Sequence, residues 1–274
     1  MGRFQTSDGL QLAYDDNGQG PVLLCLAGLT RNRRDFDELA AAITGVRLIS
    51  MDYRGRGQSD FDADPMNYQI PVEARDALEL LDHLGVEKAA IIGISRGGLI
   101  GMVLAATAKH RLTGILLVDV GPELDRKDLG RIVDYVGINP PFKDFDEALK
   151  VFPAMNPGFR GVSKEVWSRT LDRTFRQTDD GLVIRYDPQL RISVRAVFDG
   201  PEPDLWPFFD ACAGLPLALL RGANSELLKP KTVTKMQARR SDMLYAEVPD
   251  RGHTPFLDEP ESLRIITQFI GQIT

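Results

Sequence analysis

A chain of 274 residues, 43% hydrophobic and 26% charged, has the size and balance of a soluble α/β domain with one insertion. Its formal net charge of −6 argues against a nucleic-acid surface, and two cysteines, Cys25 and Cys212, are too few for a disulfide framework. No charged-then-apolar leader opens the chain, and its longest apolar stretch is interrupted by Ser95 and Arg96; no membrane span is expected, and the cytoplasm is the expected location.

Arg3 to Thr6 and Leu10 to Asp15 read as short strands around the turn Ser7-Asp8-Gly9. Val22 to Ala27 is an apolar strand ending at Gly28-Leu29-Thr30. Arg31 to Ile43 is an amphipathic helix with Phe36, Leu39, Ala40 and Ile43 on one face. Val46 to Met51 is a buried strand followed by Asp52-Tyr53-Arg54-Gly55-Arg56-Gly57-Gln58-Ser59. Val72 to Leu84 is a helix, with Pro71 at its first turn and Gly85 at its end.

Ala89 to Ile92 is then a fully buried strand, Leu99 to Ala108 a helix, and Thr113 to Asp119 the next strand. The alternation implies a parallel sheet with helices on both faces. From Pro122 the pattern changes. Residues 122–210 carry helical pieces (Leu129 to Val136, Phe145 to Phe152, Lys164 to Thr174) and the polar loop Asp179-Asp180-Gly181. Alternation resumes with a strand from Pro216 to Arg221, a helix from Pro230 to Arg239, a strand from Met243 to Val248 and a helix from Glu259 to Ile273. A helical segment inserted between two strands reads as a lid over the strand ends, where ligands bind in such sheets.

Between the strand and helix of the central unit lies Gly93-Ile94-Ser95-Arg96-Gly97, a Gly-x-Ser-x-Gly pattern. Pushing a serine hydroxyl out of so sharp a turn requires φ > 0 at Ser95, and glycines where side chains would collide. A serine needs a base. Of three histidines, His83 and His110 sit at helix ends, where an imidazole complements the dipole. His253 lies in the loop after the last strand, at the edge where a base can reach Ser95, and is the candidate base.

The candidate orienting carboxylate is Glu226, the one acid in Gly222 to Pro230, by the chain order serine, acid, histidine. Asp119, at the end of the strand beside the elbow strand, is the alternative acid. The expected oxyanion donors are the backbone N–H groups of Arg96, at a helix N-terminus, and of Leu29, with Gly28 allowing close approach.

The order of elements, Gly-Ile-Ser-Arg-Gly-Gly, Gly28-Leu29-Thr30, Asp-Tyr-Arg-Gly-Arg-Gly-Gln-Ser and the late Gly252-His253 resemble the α/β-hydrolase family, in its lid-bearing esterase, lactonase and C–C hydrolase branch. The resemblance covers nearly the whole chain, residues 122–210 apart. It implies an α/β-hydrolase fold with a mostly parallel eight-stranded sheet, a core of residues 1–121 and 211–274, and a helical lid of residues 122–210. It also implies Ser95 as nucleophile, His253 as base, an acid after the strand ending at Arg221, and oxyanion donors at Leu29 and Arg96. Two departures from the family pattern are Ala27-Gly28 in place of His-Gly, and an acid one residue later and one methylene longer than usual.

The glycine-rich run at Arg54 to Gly57 lacks a phosphate-loop pattern and reads as a structural turn. The Arg96 side chain either steers an anionic substrate or pairs with an internal carboxylate. Phe142, Phe145, Phe152, Phe159, Trp167 and Phe175 suit a lid core better than a ligand pocket. No Cys, His, Asp and Glu cluster has metal-ligand spacing, so neither metal nor cofactor is expected. The expected activity is serine-dependent cleavage of a carboxylic ester or related small acyl substrate, with no nucleic-acid or membrane partner and a homodimer left open. A C–C bond hydrolase or enol-lactonase is the nearer alternative, and a non-enzymatic ligand-binding member the more distant one.

Overall fold

The computed structural model describes residues 1–123 and 126–273. In chain order the core runs β1 (Gly2–Gln5), β2 (Gln11–Gly18), β3 (Val22–Leu26), α1 (Asp37–Ala42), β4 (Arg47–Met51), α2 (Ile70–His83), β5 (Ala89–Ile94), α3 (Arg96–Thr107) and β6 (Leu112–Val118). After the insertion come β9 (Leu217–Gly222), α9 (Pro230–Arg239), β10 (Leu244–Val248) and α10 (Pro260–Ile273). The eight core strands form one sheet in the order β1-β2-β4-β3-β5-β6-β9-β10. Within this sheet only the β1–β2 and β2–β4 pairings are antiparallel; β4, β3, β5, β6, β9 and β10 run parallel.

A strand covered on both faces needs apolar residues on both, and β5 and β9 are buried along their whole length. Adjacent residues of β6 show which helix covers which face. A Cβ on Gly114 would strike Phe269 and Ile273 of α10, whereas Ile115 next to it meets Gly101 of α3. Helices α3 and α10 therefore lie on opposite faces, and each uses a glycine to come close.

Between β6 and β9 lie α4 (Arg126–Tyr135), α5 (Phe145–Met155), α6 (Lys164–Thr174), β7 (Phe175–Thr178), β8 (Gly181–Ile184), α7 (Leu190–Asp199) and α8 (Trp206–Asp210). Residues 124 and 125 of the expected lid, and Thr274 of the expected core, fall outside the described residues. The inserted segment has a hydrophobic centre of its own, around Val136, Phe142, Leu171, Phe175, Leu182 and Leu190. It is not wholly helical. The polar run Asp179-Asp180 is the turn of an antiparallel hairpin, closed by Gly181 at φ 124°.

Candidate active site

Ser95 follows β5 and caps the N-terminus of α3, with φ 51° and ψ −109°, a conformation costly for any residue but glycine. Its amide donates to Val118 O at 2.9 Å, tying the turn to β6. The glycines around it are needed for space. A Cβ on Gly93 would sit 2.4 Å from the backbone of Gly97 and Gly98, one on Gly97 2.0 Å from Leu26 O, and one on Gly98 2.4 Å from Val120.

His253 arrives on the loop between β10 and α10. Ser95 Oγ and His253 Nε2 are 2.9 Å apart, and His253 Nδ1 and Asp119 Oδ2 are 2.6 Å apart. An ionised carboxylate only accepts, so Nδ1 carries the hydrogen and Nε2 is left to accept from the serine. Asp119 is fully buried, just past β6, with φ 54°. Its Oδ1 accepts from Gly222 N at 3.0 Å, and its Oδ2 also accepts from Ser225 Oγ at 2.6 Å. The Ser225 oxygen in turn accepts from Leu228 N at 3.1 Å, which leaves its proton for Asp119.

The expectation for Glu226 is corrected. The loop after β9 turns inward at Ser225, and the following side chain points outward, where the exposed Glu226 pairs with Arg131 of α4. Neither of the polar partners of the His253 ring, Ser95 and Asp119, comes from this loop. The end of β9 and the loop after it thus contribute the Gly222 amide and the Ser225 hydroxyl to the site instead of a carboxylate. Ser225 was not anticipated, since a serine in a polar loop carries no distinguishing pattern.

The loop of His253 is held from several sides. Asn224 N donates to Arg251 O at 2.8 Å and Arg160 N to Asp250 O at 3.0 Å. Asn224 Nδ2 reaches Gly158 O at 2.9 Å. Beside it, Trp167 packs edge-on against Phe152, Phe159 and Phe256. The aromatic residues of the insertion singled out in the sequence therefore fill its interior or this wall, and Phe198 of α7 reaches the cavity instead.

Leu29 and Arg96 both line the cavity with Ser95. Arg96 opens α3, so its N–H has no intrahelical acceptor. Among the described residues neither this amide nor that of Leu29 donates a hydrogen bond. The carbonyl of Leu29 is fixed by Arg56 Nε at 3.0 Å. Arg56 is itself fully buried, and its ion pair with Glu73 at 2.9 Å opposes the burial that pulls its proton affinity down. The Arg96 side chain turns away to Glu73, at 2.5 Å, and to Tyr68 O. The Arg54-to-Gly57 run is accordingly structural, with both arginines buried in ion pairs.

Above Ser95 opens a cavity of about 720 Å³, within the range of small-molecule sites. Its walls come from α3 (Leu99, Val103), from α4 and α7 (Ile132, Val194) and from α8 (Trp206, Phe208). Glu123 is among the polar groups on it; hydrogen bonds from Lys235 and Thr232 hold its carboxyl below the usual range, against desolvation. Among the described residues no group of three or more His, Cys, Asp or Glu is arranged to hold a metal ion. None of the described helices is long and apolar enough to cross a membrane.

The site is thus a hydroxyl on a strained turn, an imidazole, a buried carboxylate and two uncommitted amides around an apolar cavity. Such a set can transfer an acyl group. The comparisons with known proteins agree with the fold that carries it. A 3-hydroxybutyrate-oligomer hydrolase of Cupriavidus necator is 38% identical over 266 residues, covering 93% of this chain and 90% of that protein. An esterase of Mycobacterium tuberculosis is 26% identical over 255 residues, 90% of this chain and 81% of its own. The crystal structure of an α/β hydrolase from Novosphingobium aromaticivorans superposes with a TM-score of 0.91 at 36% identity, covering 98% of this chain and 97% of that one. The family model described as alpha/beta hydrolase fold matches residues 21–151, and the chain belongs to the α/β-hydrolase family as one of its hydrolytic enzymes.

Proposed function

We propose that the enzyme is a serine hydrolase that cleaves carboxylic esters through an acyl-enzyme, with ester-linked short hydroxy acids as the nearest substrate class. The observation that carries the reading is the hydrogen-bonded series Asp119–His253–Ser95, ending in the apolar cavity. The relative named as a 3-hydroxybutyrate-oligomer hydrolase weighs toward esters over carbon–carbon bonds, because a hydroxy-acid oligomer is joined by ester links.

Ser95 Oγ attacks the acyl carbon while His253 Nε2 takes its proton. Asp119 keeps the imidazole in the tautomer that can accept and stabilises the imidazolium that forms. The negative charge on the former carbonyl oxygen lies against the amides of Leu29 and Arg96, where the α3 N-terminus adds its dipole. Collapse of this intermediate expels the alcohol, which takes the proton from His253. Water, deprotonated by the same imidazole, then releases the acid and restores Ser95. Residues 122–210 serve as a lid that keeps the cavity apolar and screens the intermediate from bulk water.

Replacing the nucleophile tests this. Ser95→Ala should lower p-nitrophenyl butyrate turnover by roughly 10³-fold or more with an unchanged circular-dichroism spectrum. Turnover within a few fold of the parent would overturn the assignment.

A further inference from the structure

The cavity has a direction, and α3 sets it. Ser95 caps the helix, and Leu99 and Val103 follow at four-residue steps. Each step turns about 400°, so the three positions drift by only ~80° and stay on one face. Both are half-buried on a helix that is otherwise mostly buried, and both line the same cavity as Ser95. Beyond them Trp206 and Phe208 of α8 line the limb. That helix packs against α3, and Lys109 Nζ just after α3 reaches Ala213 O just after α8 at 3.0 Å. Trp206 is fixed in this wall, with the Arg239 guanidinium 4.1 Å above its ring and Phe209 edge-on at 5.7 Å.

From Ser95 to Val103 the helix rises about 12 Å. An extended chain advances about 1.2 Å per bond, so the limb has room for about ten chain atoms. For a hydroxybutyryl ester, which has four backbone bonds per unit, this is roughly two units. His253 must hand its proton to the leaving alcohol, so the alcohol lies on the imidazole side and the acyl chain takes the limb along α3.

We infer that the enzyme is selective for medium-length acyl groups, laid along α3 from Ser95 past Leu99, and that Val103 sets the length it accepts. The inference rests on the ester-hydrolase reading and deepens it.

The test is kcat/KM for p-nitrophenyl esters from acetyl to palmitoyl, in the parent and in Val103→Phe. The parent should improve by about three- to fourfold per methylene up to octanoyl or decanoyl and decline by palmitoyl. Val103→Phe should lower the octanoyl-to-acetyl ratio by about tenfold or more. A ratio that stays within about twofold, or palmitoyl turned over as well as decanoyl, overturns it. So does a length optimum seen instead in acetate esters of the n-alkanols, which would put the alcohol in the limb.

Binding separates this from the reading it rests on. Methyl octanoate should bind Ser95→Ala, measured by calorimetry, and lose about tenfold in affinity when Val103→Phe is added. If no ester of any length is turned over but this loss is seen, the limb stands and the hydrolase reading fails. If esters are turned over without the loss, the limb fails alone.

Discussion

Asp119 has the conformation of a residue placed for its side chain. A positive φ just past the end of β6 is unfavourable for aspartate, yet it lets the carboxylate face Gly222, Ser225 and His253 together. In the mechanism proposed above, its loss leaves His253 free to take the wrong tautomer. Asp119→Asn should therefore lower kcat for p-nitrophenyl butyrate by roughly 10⁴-fold, as in other triads. Glu226→Gln, which alters an exposed ion pair, should stay within about twofold. The reverse ranking would move the acid back to the loop after β9. The difference between these two residues was not legible in the sequence. Ser95 could be singled out as a candidate because its glycines leave a dense local pattern, and His253 because only three histidines compete. Choosing the acid depends on which of two loops turns inward, and that is decided by the β6–β9 pairing and the Gly222 amide, not by any local spacing.

One strip that fastens the inserted segment to the core runs along residues 185–187. Gly57 N donates to Arg185 O at 3.0 Å, Asp187 N to Gly55 O at 2.8 Å, and Tyr186 forms a single antiparallel bridge with Arg56. Across this strip Tyr68 OH donates to Asp187 Oδ2 at 2.5 Å and accepts from Asp62 N at 2.9 Å. Burial, with Asp187 beside it, pushes the Tyr68 hydroxyl well above its usual range, so it remains a donor throughout the working pH. Tyr68→Phe would leave the buried Asp187 carboxylate short of a donor, at a cost of about 1–3 kcal/mol. Calorimetry should show Tm lower by roughly 2–8 °C, and an unchanged Tm would mean that the Tyr68–Asp187 bond adds nothing to stability. Elements with their own signals were legible here: Ser163 caps α6 through Val166 N, and Asp144 caps α5 through Glu147 N. Helices α7 and α8 have no side-chain cap, and β7 and β8 are four residues each. Those elements exist because of tertiary packing, and a sequence window has little to detect.

On the scale of the whole molecule, one buried guanidinium joins regions far apart in the chain. Arg54 holds Asp76 of α2 through two bonds of 2.7 and 2.8 Å, Asp62 at 2.5 Å, and Asp8 in the β1–β2 turn at 3.0 Å. Burying such charges is costly, and removing one partner exposes that cost. The carboxylates respond in opposite directions. Burial raises Asp76 despite Arg54, whereas for Asp8 the hydrogen bonds from Thr6 and Arg75 and the charge of Arg54 outweigh burial and hold it well below the carboxylate range. A carboxyl lowered on folding contributes stability that is fully present above its unfolded value, about 3.9, and is lost as pH falls below it. A raised one such as Asp76 contributes the opposite slope, so the total curve alone does not isolate Asp8. The difference between parent and Asp8→Asn does. The variant should have a lower Tm at neutral pH, and the gap should narrow as pH falls from about 4 toward 2, where Asp8 takes up a proton in the unfolded chain while it stays ionised in the folded one. Two Tm curves that stay parallel through that window would show that the Asp8 charge adds nothing, and that the turn is held to α2 by packing.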